Sequence, residues 1–175
     1  LNLGRGVETM YRTTYRTHVN LSSIADNKAN IMLSINAIIV SIVVSTLVPK
    51  FNSDPKLILP TVVLLTVCLL SIVYATLSTR PKITEGRVTR EDIDAKRTNL
   101  LFFGNYYRMP LEEYQYGMLE MIKDSDFLYS SMTRDLYYLG IVLAKKYRYL
   151  SICYTIFMYG LIFAVLVFAA AFTFF

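Results

Sequence analysis

Three long stretches of this chain carry no charged residue: positions 31–48, 57–78 and 149–175, of 18, 22 and 27 residues. A helix rises ~1.5 Å per residue and the hydrocarbon core of a bilayer is ~30 Å thick, so even the shortest run is close to spanning length. An apolar content of 54% and a mean hydropathy of +0.41 are too high for an ordinary soluble domain. The expected fold class is all-α, a membrane protein with three transmembrane helices and a mainly helical cytoplasmic module between the second and third. The division by residue is 1–30 for an amphipathic cytoplasmic helix leading into the membrane, 31–48 and 57–79 for the first two spans, 80–148 for the module and 149–175 for the third span. The first run does not read as a cleaved signal, because it is long, lacks a small-residue cleavage site and sits behind a polar arm.

Charge gives the expected orientation. Of the 18 lysines and arginines, four precede the first span, two lie in the loop after it and twelve lie from Arg80 to Arg148. By the positive-inside rule the N-terminus and the long module are expected to be cytoplasmic and the C-terminus to face outward, in a multi-pass membrane protein. The net charge of +5 is thus a topology signal and not a nucleic-acid one. Cys68 and Cys153 both fall inside spans, where they read as small apolar packing residues.

The first span begins in a polar stretch. Asp26, Asn30, Ser34, Ala37, Ser41 and Ser45 recur at steps of 3 and 4, which places them on one face of a helix. Small residues let membrane helices approach closely, so the stripe reads first as a packing seam, with a pore or gate lining as the alternative. Ser71 and Ala75 in the second span, and Gly160 and Ala164 in the third, extend the seam and imply a homo-oligomer. Upstream, Tyr11, Tyr15, His18 and Ser22 continue the stripe, and Gly4 and Gly6 mark the expected start of the helix. His18, the single histidine, reads as a packed or solvated side chain before it reads as a ligand.

Beyond the second span, Arg80-Pro81-Lys82 closes the helix and Thr89 followed by Glu91 and Asp92 has the pattern of an N-cap. Residues 99–107 are a compact apolar and aromatic run, extended or folded as a buried turn. Pro110 sits at an expected N1 position with Glu112 and Glu113 behind it. Met132, Leu136, Leu139, Leu143 and Leu150 keep a spacing that carries the last module helix into the third span.

No catalytic constellation, metal site or cofactor loop is present in the sequence, and acids beside Thr89 are explained by the helix dipole. The module from 80 to 148 does hold eleven aromatic residues with several arginines. Aromatic faces and guanidinium groups suit a stacked base with a phosphate beside it, although a module this small also needs its aromatics for a core. Arg97, Arg108, Arg134, Tyr106 and Tyr107 are the candidate ligand residues.

The run HVNLSSIADNKANIMLSINAII, the stretch NLLFFGNYYRMPLEEY and the stretch MTRDLYYLGIVLAKKYRYLSICYTIFMYGL resemble the Pycsar effector transmembrane family of bacterial anti-phage defence. Its most specific parts are the run Asp26-Asn27-Lys28-Ala29-Asn30 and the run from Arg134-Asp135 to Lys146-Tyr147. The resemblance implies a membrane effector that responds to a cyclic pyrimidine nucleotide, cCMP or cUMP, and impairs the membrane of the infected cell. Some members are fused behind an HD-type phosphohydrolase domain, in keeping with a chain that starts at Leu1, so a fused upstream domain is an expected partner beside the lipid bilayer. A passive membrane anchor and oligomerisation module is the alternative function, and a small transporter or channel subunit a third. Asp26 and Asn30, poorly solvated at the membrane mouth, are expected to find partners at Lys145, Lys146 or Arg148, or else to end the membrane segment in water.

Overall fold

The computed structural model describes residues 3–80 and 88–174, and these are 87% helical with no strands. Helix α1 spans Leu3–Thr46, α2 Ile58–Thr79, α3 Arg90–Asp94, α4 Phe103–Tyr106, α5 Leu111–Lys123 and α6 Ser125–Phe174. Helix α1 begins at Leu3, so Gly4 and Gly6 lie in its first turn, where the sequence placed its start, and nothing crowds the backbone there. Among the described residues three helices are long and apolar enough to span a membrane: α1, α2 and α6. Of the expected Arg80-Pro81-Lys82 closure, Pro81 and Lys82 lie outside the described residues.

The chain forms two compact units, Leu1–Asn20 with Pro81–Leu143, and Leu21–Arg80 with Ala144–Phe175. The first part of α1, up to Asn20, therefore packs with the module and not with the span that follows it. In the first unit Ile93, Leu100, Met121 and Phe127 are buried, with Ser131 among the buried polar residues. The helices here are held by local rules. Thr89 and Asp92 form a reciprocal capping box on α3. At the other end of α3, Lys96 adopts φ 55° while the Arg97 N–H reaches the Asp92 carbonyl at 3.0 Å, a Schellman closure that normally takes glycine. Pro110 is the N-cap of α5, one position before the expected N1. The 99–107 run resolves into irregular backbone followed by one turn of helix, α4. A methyl group added at Gly117 would meet Leu100 Cδ1 at 2.5 Å, so α5 lies hard against its neighbours.

The second unit packs the apolar parts of α1, α2 and α6. Its core holds Ala25, Ala29, Met32, Ala75, Leu150 and Cys153, flanked by Leu33, Tyr74, Tyr147 and Phe157. Small residues replace a water-driven collapse that is missing in lipid; they let the backbones close until van der Waals contact and buried polar bonds hold them. Gly160 is the tightest point, where an added Cβ would lie 2.5 Å from Val67 Cγ1. The face of α1 that enters this core is Ala25, Ala29, Met32, Asn36 and Val43, while Ser34, Ser41 and Ser45 are exposed in the single chain. Ser71, Ala75 and Ala164 are buried.

Gly160→Leu is expected to overpack α6 against Val67 and to destabilise the chain by about 1–3 kcal/mol. Thermal unfolding in detergent measures this; an unchanged midpoint would show that the approach is loose.

Candidate functional site

Polar chemistry in the second unit concentrates at one end of the packed spans. Lys146 on α6 directs its ammonium to both oxygens of Asp26 on α1, at 2.8 Å each, and to Ser22 Oγ at 2.9 Å. Lysine carries three donors and all three are placed. The Lys146 side chain is 20% exposed and that of Asp26 38%, so the pair is partly shielded from water and screening. Ser78 Oγ on α2 donates to the Lys146 carbonyl at 3.1 Å, and the Tyr147 hydroxyl donates to the Leu21 carbonyl at 3.2 Å. All three long helices are thus joined at one level, by bonds in which the charged ones are the stronger. Among the three bases expected as partners, Lys146 is the one bonded to Asp26. Asn30 is not drawn into this cluster: with Asn27 and Ser34 it shares an exposed face of α1 beside Ile31, Ile35 and Ile38. Lys28 is exposed.

Deeper in the same unit lies a buried polar junction that the sequence reading did not single out. Asn36 is fully buried, and its Nδ2 donates to the Met32 carbonyl at 2.7 Å and to Ser71 Oγ at 3.1 Å. Ser71 Oγ in turn lies 3.3 Å from Cys153 Sγ. One amide, one hydroxyl and one thiol therefore link α1, α2 and α6 inside the apolar layer. Asn36 Oδ1 and Thr61 Oγ1 are buried without a hydrogen-bond partner. The signal was available, since an asparagine in the middle of an 18-residue apolar run costs several kcal/mol unless it is paired.

In the first unit the five candidate ligand residues do not gather at one hollow. Arg97 is exposed, Arg134 donates to the Lys96 carbonyl at 3.4 Å, and Arg108 lies over the ring of its neighbour Tyr107 at 5.2 Å. Tyr106 packs on Tyr114, with ring centroids 4.7 Å apart. A cavity of about 420 Å³ opens elsewhere in this unit, lined by Glu8, Tyr11, Arg12 and Tyr15 of α1, by Leu101, and by Met132, Asp135 and Leu136 of α6. None of the five lines it. The Tyr11 hydroxyl shares a 2.6 Å bond with Thr133 Oγ1, and its ring stacks on Tyr129. Asp135 is half-buried and accepts from Asn99 Nδ2 at 3.3 Å. Burial raises the Asp135 carboxyl above the ordinary carboxylate range, against a smaller lowering by that bond. His18, further along α1, packs near Gly140, with its Nδ1 buried and unpartnered.

A raised carboxylate has a definite sign in stability. The native state holds its proton to higher pH than the unfolded chain, so ionisation of Asp135 disfavours folding once pH passes the ordinary value near ~4. Asp135→Asn is therefore expected to unfold at a higher temperature than the parent at neutral pH, with the gain vanishing below pH ~4. A variant less stable than the parent at pH 7 would show that ionised Asp135 is favourably held.

A family model described as the Pycsar effector protein domain matches residues 9–173, nearly the whole chain. No curated protein and no solved structure matches it.

Proposed function

Because this chain belongs to the Pycsar effector family, membrane effectors of cyclic-nucleotide anti-phage defence, we propose that it impairs the membrane of the infected cell when cCMP or cUMP accumulates. The nucleotide acts on the first unit and the second unit is the effector part. Helices α1 and α6 each contribute residues to both units, so a ligand that biases one unit has two continuous helices leading to the other. The excess of lysine and arginine before the first span and from 80 to 148 supports a cytoplasmic N-terminus and first unit in the bacterial inner membrane, with the C-terminus outward. The exposed face with Ser34, Ser41 and Ser45 is small enough for a second copy to pack on, which supports a homo-oligomer. The effector acts without catalysis, by rearranging helices.

The observation that carries this reading is the Lys146–Asp26–Ser22 cluster. A passive anchor needs no ion pair where its spans meet, and a partly buried pair costs desolvation that apolar packing avoids. Such a pair is of use where two arrangements of the helices must be told apart.

Co-expression with a pyrimidine cyclase is expected to depolarise cells, read with a potential-sensitive dye. Asp26→Ala should abolish that depolarisation while membrane insertion and nucleotide binding persist. A parent chain that leaves the potential intact while nucleotide accumulates would overturn the effector reading; full depolarisation by the variant would reduce Asp26 to a boundary residue.

A further inference from the structure

The 420 Å³ cavity of the first unit lies within the ~300–1,000 Å³ range of small-ligand sites. Its walls are of two kinds. Tyr11, Tyr15, Leu101, Met132 and Leu136 present flat or apolar surface, which suits a ring stacked between side chains. Arg12 supplies one cation, and Glu8 and Asp135 supply one carboxylate each, Glu8 being the one paired with Arg12.

Each polar group has capacity to spare for a ligand. Arg12 is paired with Glu8 one turn away, but the two side chains are 62% and 64% exposed, and an ion pair so open to water is worth about 0–1 kcal/mol. A phosphate offered to the same guanidinium gains two charge-assisted bonds, so it displaces Glu8 at small cost. Asn99 occupies one oxygen of Asp135, leaving the other to accept an N–H from a ring edge. Cytosine presents its amino group and uracil its ring N–H, so one free carboxylate oxygen serves either base. Tyr11 is fixed by Thr133 and by stacking on Tyr129, which makes its side of the cavity a preformed wall.

We propose that this cavity, and not the surface carrying Arg97, Arg108 and Arg134, is the cyclic-nucleotide site, with the base against Tyr15 and Tyr11, its N–H edge on Asp135 and the cyclic phosphate on Arg12. The assignment rests on the proposed activation by a cyclic pyrimidine nucleotide and adds its location. The raised carboxyl of Asp135 fits a residue whose second oxygen lacks the donor a bound base would bring.

The test is calorimetric titration of the full chain in lipid nanodiscs with cCMP and with cUMP. Tyr15→Ala and Arg12→Ala, both at exposed positions that leave the core intact, should each weaken binding roughly ten- to a hundredfold. Arg97→Ala and Arg108→Ala should stay within about threefold of the parent. A parent that binds one nucleotide with unchanged affinity in both the Tyr15 and Arg12 variants overturns the cavity assignment alone. A parent that binds neither nucleotide overturns the assignment together with the activation on which it rests. Circular dichroism of each variant confirms that the helices persist.

Discussion

The bond between Lys146 and Asp26 is the constraint to which the second unit is built. A lysine at the head of a membrane span has two stable placements, snorkelled into the head groups or paired within the protein. Here it is paired, and the pairing sets the rotation of α6 and α1 about their own axes. With Lys146 turned toward Asp26 and Ser22, helical periodicity turns Leu150 and Cys153 toward Ala25, Ala29 and Met32. One further turn along, Asn36 meets Ser71 and Ser71 meets Cys153. Each polar contact is affordable because the previous one has brought the helices into register, and each would be an orphan in lipid if the register slipped.

Packing follows from the same rotation. Gly160 faces Val67 with no room for a methyl, and Ala75 is fully buried in the shared core. Dispersion contacts of this kind are individually weak, on the order of 0.1–0.2 kcal/mol per atom pair, and add up only when the surfaces are held close. A small set of directional polar bonds therefore decides which of several similar small-residue packings the helices adopt.

Much of this was legible in the residues. Runs without charge gave the spans, and Met132 to Leu150 at helical spacing gave one continuous helix into the membrane, as α6 shows. The pairing of Asp26 with a base near 146 was readable because both sit at the same membrane level by topology. Three things were not. The seam of Ser34, Ser41 and Ser45 was read from periodicity, but periodicity defines a face and does not say what covers it; within one chain the neighbouring face with Ala29, Met32 and Asn36 is the buried one. The cavity joins residues 8–15 to residues 132–136, a contact more than a hundred positions apart that no local pattern encodes. Composition singles out arginines and tyrosines but does not say which of them share a hollow: Tyr106 packs on Tyr114 and Arg108 lies over Tyr107, while Tyr11, Arg12 and Tyr15 line the cavity.

The central claim, that the Lys146–Asp26 pair governs the state of the spans, is tested most directly by exchanging its charges. Asp26→Lys and Lys146→Asp are made singly and together, and membrane potential is followed while the nucleotide is raised. The account predicts that each single reversal is silent, because two like charges then face each other across α1 and α6, and that the double reversal depolarises again. A double reversal as silent as the singles, in protein that inserts and binds nucleotide normally, or a single reversal with full activity, would contradict it.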